Sequence, residues 1–192
     1  MEVCAPQPAR EGTGGRSCPR PGQTLSLEPI FRIAVLGLGN LLRTDDGVGV
    51  HAIRRLLEIG EVPPEVEAIE GGTFGLDLLP RIDGVTHLLA IDAVDSGAPP
   101  GTLRRFANNE LLSVPMGRSV HLLGFSDLLS ALRLLGRAPR EIVLLGVQPQ
   151  STDWGVMLSP PVADVLDRVV DAALFELAGW LQPEPVATIF PE

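Results

Sequence analysis

The sequence contains no lysine and no tyrosine, so all 15 of its basic side chains are arginine. That excludes a Schiff-base lysine and a tyrosine acid or base. The only thiols, Cys4 and Cys18, lie close to the amino terminus. The rest of the chain therefore has no disulfide framework, no cysteine-based zinc site and no cysteine nucleophile. No apolar run approaches the roughly 18 residues of a membrane span, and the first residues lack the charged start and apolar stretch of a secretory signal. A basic surplus is missing as well. Twenty-four acids leave a net charge of −9 and an isoelectric point near 4.8, which argues against nucleic acid or an anionic membrane as the main partner. A basic protein surface or a metal cation suits that field better, and the cytoplasm is the expected compartment.

What is present describes a well-packed domain. At 192 residues, 45% hydrophobic, the chain is long enough to bury a real core as one unit. Residues 1–30 are rich in Pro, Gly and Arg without hydrophobic periodicity, and are expected to be a disordered extension. Residues 31–182 form the expected folded domain, and 183–192 a loose tail.

The first strand is expected at 33–36, an apolar run that breaks on Gly37 and Gly39. Asp45 and Asp46 then open an amphipathic helix over 46–59, with Ala52, Ile53, Leu56 and Leu57 inward and His51, Arg54, Arg55 and Glu58 outward. Gly60 ends it. A short second strand at 66–69 runs into the glycine turn of Glu70, Gly71, Gly72 and Thr73, and a short helix follows at 76–82. The third strand, 85–92, is apolar until it terminates on Asp92. An edge strand at 102–106, an irregular segment at 108–119, a helix at 126–135 with Leu128, Leu129, Leu132 and Leu135 inward, a buried strand at 141–146 and a last helix at 161–181 complete the pattern. Strands alternating with helices predict an α/β fold: a single three-layer α/β/α sandwich with a mostly parallel sheet.

Three constellations are candidates for chemistry. Gly37-Leu38-Gly39 begins a dinucleotide fingerprint, but Leu42 stands at the third glycine position, and two carboxylates would repel a pyrophosphate. Ser126 sits in a near match to a nucleophile elbow without its last glycine, and suits a helix N-cap. The third candidate joins Asp46 at the first helix start, Asp92 at the third strand tip and His121 before the next major helix. A doubly wound sheet brings such positions to one carboxyl edge, and two carboxylates with an imidazole suit Zn²⁺ or Ni²⁺ with coordination positions left open. Each of these residues also has a plainer role. Asp45 or Asp46 suits a helix cap, Asp92 a turn with Asp95 and Ser96, and His121 a hydrogen-bonded loop.

The order of motifs adds what no single one carries. Gly37 to Val50 (Gly-Leu-Gly-Asn-Leu-Leu-Arg-Thr-Asp-Asp-Gly-Val-Gly-Val) resembles the signature of the hydrogenase maturation proteases, nickel-dependent endopeptidases that process [NiFe]-hydrogenase large subunits. The likeness continues through Glu70-Gly-Gly-Thr73, Ile91-Asp-Ala93, Val120-His-Leu-Leu-Gly-Phe-Ser-Asp-Leu-Leu-Ser-Ala-Leu132, Leu145-Gly-Val-Gln-Pro149 and Leu158-Ser-Pro160, over about residues 32 to 182. The resemblance implies an endopeptidase that removes a short carboxy-terminal peptide from the nickel-loaded large-subunit precursor. The nickel-contacting trio would be Asp46, Asp92 and His121, with Asp46 and Asp92 as the catalytic carboxylates and Gly71, Gly72 and Thr73 positioning substrate. Nickel would arrive with the substrate, and Zn or Cd would take its place in a crystal. With no core thiol and no convincing serine, water is the expected nucleophile. A carboxylate base, a metal-acidified water and an aspartic-type pair all remain open as its activator. A monomer is expected, with no nucleic acid or membrane partner. The rival readings are a non-catalytic nickel-handling accessory protein and a nucleotide-binding α/β module.

Overall fold

The computed structural model describes residues 31–113 and 120–182, without the side chains of 109, 112, 113 and 120–123. The expected extension, 1–30, and tail, 183–192, lie outside the described residues. Five strands form one sheet: β1 (Ile33–Leu38), β2 (Val66–Gly72), β3 (His87–Ala93), β4 (Leu103–Ala107) and β5 (Glu141–Val147). Their spatial order is β2-β1-β3-β5-β4. All pairs are parallel except β4, which runs antiparallel to β5 at the sheet edge. Its arginines, Arg104 and Arg105, are exposed there, as a solvated edge requires.

Strands covered on both faces must be largely apolar, and β1, β3 and β5 are, with His87, Asp92 and Glu141 near the ends of β3 and β5 as the exceptions. Their alternate residues enter two separate cores. Ile33, Val35, Leu89, Ile91, Val143 and Leu145 pack on one face against α1 (Val48–Ile59) and α5 (Leu166–Leu181). Ala34, Leu36, Leu88, Ala90, Ile142 and Leu144 pack on the other. There they meet α2 (Leu79–Ile82) and α3 (Val120–Leu134) through Ile82, Phe125, Leu128 and Leu132. The three-layer α/β/α architecture follows from these two cores.

Several boundaries differ from the sequence-based expectation. Asp45 and Asp46 stand in a 3-10 turn, Thr44–Gly47, and α1 starts only at Val48. Leu56 is fully buried whereas Leu57 is 52% exposed, and His51 is half-buried rather than solvated. β2 continues through Gly72, and residues 108–113 wind into a 3-10 helix. α3 begins at Val120, so Ser126 lies inside the helix and caps nothing, and Leu135 is exposed beyond its end. The last helix is broken in two, with α4 (Pro160–Ala163) preceding α5. No described helix is long and apolar enough to cross a membrane.

Candidate active site

The turn after β1 is built by close backbone approach. Gly39 has φ +116°, and a Cβ there would overlap the Asp46 carbonyl. Only glycine takes that conformation and that contact together. At the start of α1, a Cβ on Gly49 would overlap the carbonyls of Leu38 and Ile91. Gly49 thus lets the helix lie directly on the ends of β1 and β3. The acidic turn preceding the helix is carried onto the carboxyl edge of the sheet, beside Asp92 in β3. There Asp92 is fully buried, and its Oδ1 accepts a hydrogen bond from Ala93 N at 2.8 Å.

The two neighbouring acids of the turn diverge. Asp46 is 7% exposed, accepts Asn40 N on Oδ2 at 3.1 Å, and lines an open cleft of about 240 Å³. Asp45 is fully buried and points the other way. Its Oδ2 accepts Gln150 N at 2.8 Å, Ser151 N at 3.1 Å and Ser159 Oγ at 2.8 Å, while Oδ1 accepts Ser159 N at 2.6 Å. A carboxylate with that many donors is fixed in one orientation. The preceding Thr44 has φ +38°, an outlier for a β-branched residue. It is held there by its hydroxyl donating to Ser151 O at 2.6 Å and its N–H donating to Gly155 O at 2.8 Å. Strain of this kind persists only where surrounding bonds over-determine it.

Asp46, Ala93, Asp95 and residues 148–152 form the cleft walls. Gln148, also buried, organises part of the cleft wall. Its Oε1 accepts Ser96 N at 2.8 Å, Ser96 Oγ at 3.1 Å and Ala98 N at 3.2 Å, and its Nε2 donates to Asp95 Oδ1 at 3.1 Å. Sequence reasoning did not single out Asp45, Asp95 or Gln148 as site residues. The repeated acid at 45–46 and the Gln-Pro pair after β5 were the available signals.

The structure therefore brings Asp46 and Asp92 to one edge. His121 is the second residue of α3, and its side chain lies outside the described residues. Gly71 is buried, where a Cβ would overlap the Leu36 side chain. Gly72 and Thr73 line a second shallow concavity with Asn40, Leu41 and Phe74. Among the described residues no three His, Cys, Asp or Glu side chains are grouped to hold a metal ion.

Comparison with known proteins gives a consistent result. Residues 50–176 match the family model described as hydrogenase maturation protease. The chain is 40% identical over 152 residues to the hydrogenase expression/formation protein HupD of Bradyrhizobium diazoefficiens, covering 78% of this chain and 79% of that protein. It is 36% identical over 149 residues to the hydrogenase 2 maturation protease of Escherichia coli, covering 77% and 91%. Among solved structures, the E. coli hydrogenase maturating endopeptidase HybD superimposes with a TM-score of 0.71 at 34% identity, over 78% of this chain and 93% of that one. The [NiFe] hydrogenase maturation protease HybD of Thermococcus kodakarensis gives 0.65 at 32%, over 77% and 99%.

Proposed function

The chain belongs to the hydrogenase maturation protease family, and from that premise we propose that it recognises its substrate through nickel already bound there. It is a peptidase that processes the carboxy terminus of a hydrogenase large subunit. The observation that carries the nickel reading is the convergence of Asp46 and Asp92 at one sheet edge, where Asp46 lines an open cleft. Carboxylate oxygens joined by the imidazole of His121 make a donor set of the borderline type that divalent nickel accepts. In this reading Asp46, Asp92 and His121 contact the metal of the precursor, and the ion leaves with the product. Metal insertion then licenses cleavage, which a permanent zinc site would not do.

Asp46 is the general base toward water, because it alone of the two acids lines the cleft. It takes a proton from water as the oxygen attacks the scissile carbonyl carbon, then returns one to the leaving amine. Asn40 N, which donates to Oδ2, holds the Asp46 carboxylate in place. Asp92, behind it, grips the substrate's ion. Gly72 and Thr73 hold the extended chain alongside, and Gly71 lets their backbone lie close to β1. The reaction is assigned to the cytoplasm, performed by a monomer.

The test mixes purified protein with nickel-loaded and nickel-free precursor and weighs the products. Loaded precursor loses a carboxy-terminal peptide and nickel-free precursor does not. Equal cleavage of both sinks nickel recognition. Asp46→Asn is expected to bind loaded precursor and leave it uncut, with kcat lower by about 10²–10⁴-fold, whereas Asp92→Asn loses nickel-dependent binding.

A further inference from the structure

The cleft beside Asp46, about 240 Å³, is smaller than the roughly 300–1,000 Å³ of sites that enclose a small molecule. It takes a few side chains of an extended peptide, so affinity for a whole protein must come from surface outside it. One such surface is continuous with the cleft wall. The loop that supplies residues 148–152 runs on through 153–158, where Trp154 is 77% and Met157 75% exposed, with Val156 and Leu42 beside them. A single exposed apolar side chain needs no explanation. Four on one connected ridge at the rim of an active site are a different matter.

The ridge is braced. Gly155 N donates to Leu42 O at 3.0 Å, and Gly155 O accepts Thr44 N at 2.8 Å. Arg43 Nε donates to Thr152 O at 2.9 Å, and its guanidinium lies 5.7 Å from the centroid of the Trp154 ring. That distance is within cation–π range. Asp45 fixes both ends of the same loop, at Gln150 and Ser151 and at Ser159. An exposed tryptophan on a pre-ordered loop loses little entropy on binding, and tryptophan and methionine are enriched where interfaces bury their core.

We propose that Leu42, Trp154, Val156 and Met157 form a docking ridge for an apolar surface of the large-subunit precursor, next to the segment that enters the cleft. The inference rests on the processing activity and adds the surface by which the folded substrate is held. The ridge sets affinity, while the carboxylates below it cut.

The experiment compares the full chain, Trp154→Ala/Met157→Ala, and Leu134→Ala as an exposed apolar control from the far end of α3. The probe is nickel-loaded large-subunit precursor from the same organism. Binding is read by biolayer interferometry and cleavage by mass spectrometry. The double variant is expected to raise Kd and KM about tenfold or more with kcat within about twofold, and the control to match wild type. Unchanged Kd and KM in the double variant overturn the ridge and leave the processing activity intact. Failure of the wild type to cut the precursor counts against the processing reading, while the Kd comparison still decides the ridge. A dimer that the double variant dissolves, with precursor affinity unchanged, also overturns the proposal, because the ridge then contacts a second copy of this chain.

Discussion

Asp45 and Ser159, 114 residues apart, are joined twice: Ser159 N donates to Oδ1 at 2.6 Å and Ser159 Oγ to Oδ2 at 2.8 Å. With the two further donors at Gln150 and Ser151, this carboxylate ties the acidic turn to the loop forming a cleft wall. It is a buried fastening one residue away from the acid that faces the cleft.

Removing it leaves three backbone N–H groups and a hydroxyl to find new partners. Asp45→Ala is expected to cost about 3 kcal/mol or more, and Ser159→Ala, which loses one bond, about 1 kcal/mol. Urea midpoints at constant slope measure both. An Asp45→Ala variant as stable as wild type would show that the loop holds itself.

Gly49→Ala places a methyl where the Leu38 and Ile91 carbonyls already lie. The helix must lift, at a cost of about 1–3 kcal/mol. The activity loss should be larger than the stability loss suggests, since Asp46 moves relative to Asp92. Comparing kcat with the urea midpoint separates the two effects.

Much of the sheet was legible because β1, β3 and β5 are buried on both faces and read as unbroken apolar runs. Periodicity could not choose between Leu56 and Leu57, adjacent and identical. The choice is made by the contact of Gly37 with Gly49, which sets the helix's rotation about its axis. The start of α3 was hidden for a related reason. Residues 120–135 are apolar on nearly every side, and Ser126 looked like a boundary only because serine is common at one. The site was half legible. Two neighbouring aspartates announced a function, but nothing local says which one faces the cleft and which one is a brace. That division depends on donors more than 100 residues away.

The rotation of α1 about its axis has a measurable consequence. Leu56→Ala opens a cavity in the α1 face of the core and should cost about 2–5 kcal/mol, whereas Leu57→Ala should fall within about 0.5 kcal/mol of wild type. Thermal or urea unfolding of the two variants checks the rotation of α1 directly.

His51 gives a pH dependence. Its Nε2 is buried without a hydrogen-bond partner among the described residues. Burial first, and Arg54 second, push its pKa below 6.5. The folded protein therefore resists protonation more than the unfolded chain does. The stability associated with a neutral His51 is fully present above pH 6.5 and is lost as pH falls from there through the lowered folded value. Burial lowers the pKa of His87 in the same direction, so wild type should weaken over that range and His51→Gln should weaken less steeply. Denaturant titrations at neutral and mildly acidic pH measure the slope, and identical slopes would remove His51 from the account.

The fastening at Asp45 has a consequence for biosynthesis. A growing polypeptide that has reached Val147 already contains every described strand, Asp46 and Asp92, yet none of the four donors that steady the acidic turn. Those donors follow β5 in the chain and precede α5. A hydrolase whose acidic turn is fastened in that order is expected to reach its cutting geometry only once residue 159 has joined the fold.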